Sequence, residues 1–125
     1  VTIVGRKDDM VISGGENVHP VQVEEALSAH QGVADCIVTG LPDEEWGQLV
    51  VAYVLPRPGF FTDHAAAAKE LDAFCRASSE LANYKRPRRY AFVDELPMTA
   101  TGKKQHFMLK QRAPQDAQAG LFVRP

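Results

Sequence analysis

The stretch Leu49-Val50-Val51-Ala52-Tyr53-Val54-Leu55 is almost continuously apolar, and proline and glycine follow it at positions 56–59. A run of this length is typical of a strand that lies inside a sheet and is covered on both faces. The turn residues that follow end the strand, because proline cannot donate a backbone hydrogen bond. The run therefore predicts the central strand of a small sheet.

Strand and helix patterns lie on both sides of this central run. Short runs rich in β-branched and aromatic residues at 33–39 and 90–93 predict two further strands. Apolar residues spaced three and four apart predict helices from about 20 to 30, over 63–82 and over 104–112. We therefore expect an α+β fold, with one small sheet of about three strands flanked by helices that lie on one face.

The segment before the central strand predicts a hairpin and a capped helix. The runs at 1–4 and 10–12 flank a polar turn, as the strands of a short β-hairpin do. Gly32 suits the end of the helix that follows. Glu24 and Glu25 of this helix are expected to face solvent near its positively polarised N-terminal end.

Length and composition limit the classes of protein that the chain can represent. Its 125 residues, 45% apolar and 24% charged, have the composition of one globular domain and not of a disordered segment. No apolar run approaches the ~20 residues of a membrane span and no secretory leader opens the chain, so we expect a cytoplasmic protein without a membrane partner. The start at Val1 without methionine suggests a piece of a longer protein.

Charge is divided unevenly along the chain. Residues 1–75 hold 4 Lys/Arg against 12 Asp/Glu, whereas residues 76–125 hold 10 against 4. The C-terminal part is therefore a candidate anion-binding surface. The four histidines stand at no metal-ligand spacing, so no metal site is expected on this chain.

Three segments, at 5–17, 84–90 and 96–103, are more polar than a scaffold needs. They contain four motifs, which in chain order are Gly5-Arg6-Lys7-Asp8-Asp9, Ser13-Gly14-Gly15-Glu16-Asn17, Lys85-Arg86-Pro87 and Thr101-Gly102-Lys103. In this order and at these spacings they resemble the C-terminal domain of the adenylate-forming superfamily of acyl-CoA synthetases, peptide-synthetase adenylation domains and luciferases. The sequences at residues 13–20 and 46–48 are similar to those of the benzoate and halobenzoate branch of aryl-CoA ligases.

The resemblance implies a domain organisation. Residues 1–112 would form the mobile C-terminal domain, and residues 113–125 a flexible tail. The large N-terminal domain, which in the family holds ATP and the carboxylic acid, would be missing from this chain, so the isolated chain should be inactive.

The resemblance also implies a reaction in two steps. A carboxylic acid, by analogy an aromatic one, attacks ATP and gives an acyl-adenylate, with Mg²⁺ arriving on ATP and bound mainly by the larger domain. The thiol of coenzyme A then displaces AMP. The small domain rotates between the steps and presents a different face in each.

Lys103 matches the adenylation lysine of the family. A carboxylate must attack an anionic phosphate, and a cation between the two offsets the repulsion and stabilises the developing charge. This chain departs from the family, which has Lys or Arg at Met98 and an aliphatic residue at Lys104. Two adjacent lysines leave Lys104 as an alternative, although Lys103 keeps the register by following Gly102.

The resemblance assigns the remaining site residues. Asp8 falls on the hinge, and Arg6 would contact the nucleotide or be a plain surface arginine. Gly15 would line the pantetheine arm, since glycine leaves a wall without side chains. Glu16 would activate the thiol or brace the loop.

A second group of residues is assigned to the nucleotide end of coenzyme A. Arg86 and Arg88 would bind its phosphates. Trp46 and Tyr84 would stack on adenine or serve as partly buried structural residues. Arg86 and Arg88 favour free coenzyme A over the alternative acceptor, the phosphopantetheine of a carrier protein.

A different class of function also has to be weighed. The basic and aromatic residues at 84–90 would suit a non-catalytic module that binds nucleic acid. Such a module would not need the Thr-Gly-Lys loop or the paired glycines, and the sequence pI near 6.1 argues against it. We therefore expect no nucleic-acid partner.

Overall fold

The computed structural model describes residues 10–78, 81 and 85–125. Its first element is an antiparallel hairpin of β1 (Val11–Ser13) and β2 (Glu16–Val18), joined by a turn at Gly14 and Gly15. A short hairpin at the start of the fold is confirmed, but the described one pairs β1 with β2, on the C-terminal side of the strand predicted at 10–12. The other predicted strand, residues 1–4, lies outside the described residues.

A mixed sheet of three strands forms the centre of the domain. It consists of β3 (Val33–Asp43), β4 (Gly47–Pro56) and β5 (Arg89–Phe92), in the order β3-β4-β5. β4 pairs with β3 antiparallel and with β5 parallel. The apolar run at 49–55 is thus the central strand, as predicted, and residues 49–54 are buried because both faces of the sheet are covered.

Three helices accompany the sheet. α1 (Pro20–Ser28) ends at Ala29 and not at Gly32, which instead packs its bare backbone against Phe60 and Phe61. α2 (His64–Ala77) begins at Asp63, whose side chain accepts hydrogen bonds from the amides of residues 65 and 66 at 3.0 and 3.4 Å. α3 (His106–Gln118) runs six residues past its predicted end. Over the described part of the chain, no helix has the length and apolar character to cross a membrane.

The helices cover both faces of the sheet, which corrects the expectation that they lie on one face. Alternate strand residues point to opposite sides. Val38, Ala52 and Val54 join the core under α1 and α2, whereas Ile37 and Tyr53 join a second cluster with Leu109 of α3. A strand that is apolar on both sides needs two covers, and α3 supplies the second.

The C-terminal segment follows α3 back onto the sheet. Val123 pairs with Tyr90 of β5, through hydrogen bonds of 2.9 Å and 2.7 Å between their backbone groups. Phe122 packs edge-on against Tyr53. The boundary at residue 112 and the flexible tail stay predictions. Six of the tail residues continue α3, and Val123 occupies the edge of β5.

We expect the domain to lose stability above about pH 9. Burial raises the pKa of Cys36 to about 12 and that of Cys75 to about 11, from an ordinary value of 9.0. Burial also raises the pKa of Tyr53 and of Tyr90. The folded chain keeps protons that the unfolded chain releases, so the free energy of unfolding falls as pH rises. Urea unfolding at pH 7 to 11 checks this, and an unchanged midpoint above pH 9 would contradict it.

Candidate functional site

Lys103 lies on a tight turn whose geometry depends on glycine. Gly102 has φ +85°, and its amide donates to the Thr99 carbonyl at 2.9 Å. The Lys103 amide donates to Thr99 Oγ1 at 3.0 Å, and the Thr99 amide donates to the Lys103 carbonyl at 2.8 Å. The backbone of Lys103 is therefore held from both sides while the residue itself is exposed. Among the described residues, Lys103 forms no ion pair. Its ammonium group is therefore available to contact a group outside this domain.

The neighbouring Lys104 points the other way, into the domain. Its Nζ lies 3.2 Å from Glu24 Oε1 and 3.1 Å from Asp35 Oδ1, and its side chain is 24% exposed. Burial alone would lower the pKa of Lys104, but the charges of Glu24 and Asp35 outweigh it and raise the pKa. Lys104 is thus committed to two carboxylates, and the geometry favours Lys103 as the lysine available to a substrate.

Glu24 is 4% exposed, which corrects the expectation that it faces solvent. Its carboxylate accepts the Val38 amide at 2.9 Å and lies 2.6 Å from His106 Nε2. Together with the contact to Lys104, these bonds join α1, β3 and the start of α3. This cluster of Glu24, Asp35, Lys104 and His106, called here the anchor cluster, fixes both ends of the segment from residue 104 to residue 106.

The paired glycines form the hairpin turn and contact an aromatic ring. Gly14 has φ +59°, and a Cβ on it would lie 2.6 Å from Trp46 Cε3, so only glycine fits under this ring. Its amide also donates to the Trp46 carbonyl at 2.9 Å. Gly15 has φ +82° and faces open space, and Glu16 beside it is exposed. Gly14 therefore makes the turn, and Gly15 offers a bare surface.

Trp46 lies beside a basic segment. It is 45% exposed, and Asp43 Oδ2 fixes its loop by accepting the amides of Glu45 and Trp46 at 3.1 Å and 2.9 Å. The Arg88 guanidinium lies 5.9 Å from the ring centroid, within cation–π range. The structure thus brings together the glycine turn, Trp46 and Arg88.

Arg86 does not join this group. Its side chain is buried and its guanidinium binds the Asp72 carboxylate of α2. In this arrangement Arg86 ties the segment before β5 to α2, and its charge is directed into the domain and away from solvent. Two residues later, the Arg88 amide bonds to the Val50 carbonyl at 2.6 Å, which fixes the start of β5.

The two candidate regions lie at opposite ends of β3. The anchor cluster includes Asp35, near the first residue of the strand, and the Trp46 loop begins at Asp43, its last residue. Eight residues of extended strand separate Asp35 from Asp43, or about 26 Å. One substrate cannot contact both regions of the domain at the same time unless it spans this distance.

Three predicted site residues, Arg6, Asp8 and Tyr84, lie outside the described residues. Over residues 10–78, 81 and 85–125, no group of three or more His, Cys, Asp or Glu side chains could hold a metal ion. The anchor cluster was missed because helical spacing alone gave Glu24 and Glu25 the same environment. The signal that could have found it is the charged residue at Lys104, where the resemblance predicts an aliphatic one.

Comparisons with known proteins show which family the chain is similar to. Residues 22–103 match the family described as the AMP-binding enzyme C-terminal domain. The chain is 50% identical over all 125 residues to a 4-chlorobenzoate–CoA ligase of Pseudomonas sp. strain CBS-3, and covers 23% of that protein. It is 40% identical over 119 residues, 95% of the chain, to a 2-succinylbenzoate–CoA ligase of Geobacillus sp. strain WCH70, of which it also covers 23%.

A solved structure shares the fold. The o-succinylbenzoate CoA synthetase of Bacillus subtilis, in complex with its acyl-adenylate intermediate, superposes with a TM-score of 0.74 at 36% identity. The match covers 86% of this chain and 20% of that one. The chain thus spans less than a quarter of the length of the relatives it matches.

Proposed function

The chain belongs to the AMP-binding enzyme C-terminal domain family, and from this premise we propose that it is the mobile domain of an AMP-forming acyl-CoA synthetase. Such an enzyme uses ATP to turn a carboxylic acid into an acyl-adenylate and then passes the acyl group to coenzyme A. The observation that carries the proposal is an exposed Lys103 on a glycine turn inside a chain with this family match. The comparisons do not favour a basic nucleic-acid module.

Lys103 acts in the first step. Its ammonium group would lie between the attacking carboxylate and the α-phosphate of ATP, lowering their repulsion and stabilising charge as the new bond forms. The turn at Thr99 and Gly102 keeps the lysine backbone in place. Mg²⁺ would arrive with ATP and be held mainly by the larger domain.

The glycine turn and the Trp46 region act in the second step. Gly15 would form a wall for the narrow pantetheine arm, because nothing lies within 4 Å of where its side chain would be. Glu16 would activate the thiol or brace this turn. Trp46 and Tyr84 would stack on adenine, and Arg88 would bind phosphate, while Arg86 would support the segment that carries Arg88.

The two steps require the domain to turn. Lys103 and the Trp46 region lie near opposite ends of β3. A single reaction centre can therefore contact them only one after the other. We place the hinge at Asp8, since a hinge lies where a few residues can absorb a large change in backbone angles. Arg6, two residues before it, would contact the nucleotide.

An aromatic acid is the proposed substrate class. This rests on the relatives named as 4-chlorobenzoate and 2-succinylbenzoate ligases, and the residues that select the acid would lie in the larger domain. Free coenzyme A is the proposed acceptor, because Trp46 and Arg88 offer a surface for its nucleotide, which the pantetheine of a carrier protein lacks.

A panel of acids tests the proposal in the full-length enzyme. We expect ATP–pyrophosphate exchange with benzoate-type acids at a kcat/KM at least about tenfold above that with acetate or long-chain acids, followed by thioester formation only when coenzyme A is added. Exchange with no acid in the panel would overturn the ligase assignment. Acyl transfer to a phosphopantetheinyl carrier protein but not to coenzyme A would overturn the choice of acceptor.

A further inference from the structure

Three arginines converge on one pocket beside Trp46. The pocket has a volume of about 380 Å³, and its lining includes Trp46, Arg88, Arg89 and Arg124. A cavity of this size lies within the range of small-molecule sites. Arg88 and Arg89 come from the start of β5, whereas Arg124 is the second residue from the C-terminal end of the chain.

Backbone pairing brings Arg124 to the pocket. The preceding residue, Val123, exchanges two hydrogen bonds with Tyr90, the residue after Arg89. Adjacent strands lie about 4.8 Å apart. Arg124 and Arg89 therefore enter the pocket from neighbouring strands, and the position of Arg124 follows from the sheet and not from its place at the end of the chain.

The three arginines of this pocket outnumber the two carboxylates of its lining, Asp43 and Glu45. Among the described residues, no carboxylate forms an ion pair with Arg88, Arg89 or Arg124. Asp43 lies in the lining, but its carboxylate accepts two backbone amides, and Glu45 is exposed. Burial and the nearby charge of Arg124 lower the pKa of Arg89, and they outweigh the charge of Asp43, which raises it.

We propose that Arg89 and Arg124 complete a site for a phosphate monoester on a nucleotide whose base stacks on Trp46. If the proposed function holds, on which this inference rests, the phosphate monoester is the 3′-phosphate of coenzyme A. A monoester carries close to two negative charges and three terminal oxygens, so it can bind several guanidinium groups, which match phosphate geometry. The diphosphate bridge of the same cofactor has a single charge on each phosphate and needs fewer partners.

Trp46 gives a direct readout, because it is the one tryptophan in the 125-residue chain. The ligands are coenzyme A and dephospho-coenzyme A, which differ by the 3′-phosphate alone, so that only the first carries a phosphate monoester. We expect Trp46 fluorescence titrations to give a Kd at least about tenfold lower for coenzyme A, the size of one well-formed charged hydrogen bond. Arg124→Ala should remove this preference while leaving the Kd of dephospho-coenzyme A unchanged.

Arg112→Ala is the matched control. Arg112 is an exposed arginine of α3, and its charge pairs with Asp116 at 3.6 Å, outside the pocket lining. It should keep the preference for coenzyme A over dephospho-coenzyme A, and melting curves should show that both variants fold. If Arg124→Ala retains the preference, or if Arg112→Ala loses it equally, the site is wrong.

Kinetics of the full-length enzyme separate this inference from the proposed function. Arg124→Ala should raise the KM for coenzyme A about tenfold, leave the KM for dephospho-coenzyme A unchanged and leave pyrophosphate exchange intact. Equal KM values for the two cofactors in the unmodified enzyme would overturn the 3′-phosphate site while the ligase function stands. If the unmodified enzyme has no pyrophosphate exchange activity, the proposed function is overturned. The binding experiment on the chain would then still decide the site.

Discussion

Replacing Lys103 with alanine in the full-length enzyme should reduce acid-dependent ATP–pyrophosphate exchange by about 100- to 1,000-fold, the usual cost of losing one preorganised charge donor. Thioester formation from supplied acyl-adenylate should continue at close to its original rate. The reason is geometric, since the Lys103 turn and the Trp46 region lie near opposite ends of β3 and cannot serve one reaction centre together.

Lys69→Ala is the matched control for this experiment. Lys69 is an exposed lysine of α2, and it should leave both half-reactions unchanged. A loss of both steps in Lys103→Ala would contradict a role confined to adenylation. Unchanged exchange in Lys103→Ala, with exchange lost in a folded Lys104→Ala variant, would move the assignment to Lys104.

Replacing Glu24 with alanine should lower the free energy of unfolding by about 3 kcal/mol. The substitution leaves the buried Val38 amide without its acceptor and removes one of the two carboxylates that hold Lys104. Because the anchor cluster joins α1, β3 and α3, its loss also frees the segment that follows Lys103. Urea unfolding measures the first effect, and the rate of pyrophosphate exchange measures the second.

The adjacent glutamate gives an internal control. Glu25 is exposed, so Glu25→Ala should change stability by less than about 0.5 kcal/mol. Glu24→Gln keeps an acceptor for the Val38 amide but not the negative charge, and should fall between the two. Equal unfolding midpoints for Glu24→Ala and Glu25→Ala would show that the anchor cluster does not stabilise the domain.

Most of the fold follows from patterns that lie within single segments. The apolar run at 49–55 is the central strand because residues 49–54 are buried on one face of the sheet or the other. The first helix begins at Pro20 because proline fits a position whose amide has no helical partner. Such features depend on residues that are adjacent in the chain, so they can be predicted from the sequence.

The same patterns fail where a distant element decides the environment. Gly32 was expected to end α1, but it is needed at its position because two phenylalanine rings from the loop before α2 pack against it. Binding of phosphate by Arg86 stays a prediction, and the local sequence does not indicate that its buried guanidinium pairs with Asp72 of α2. In both cases the contacting residue lies more than ten positions away in the sequence, so the local spacing of residue types does not predict the contact.

The sequence by itself determined the family features: the central strand, the glycine turn at Gly14 and Gly15, and the Thr-Gly-Lys loop. These are backbone requirements, and each is met by the residue types written at that point of the chain. The tertiary structure alone decided which lysine is exposed, that Glu24 is buried, and that Arg124 joins Arg89 beside Trp46. Electrostatic interactions act through space, so the role of a charged side chain depends on which groups the tertiary fold places near it.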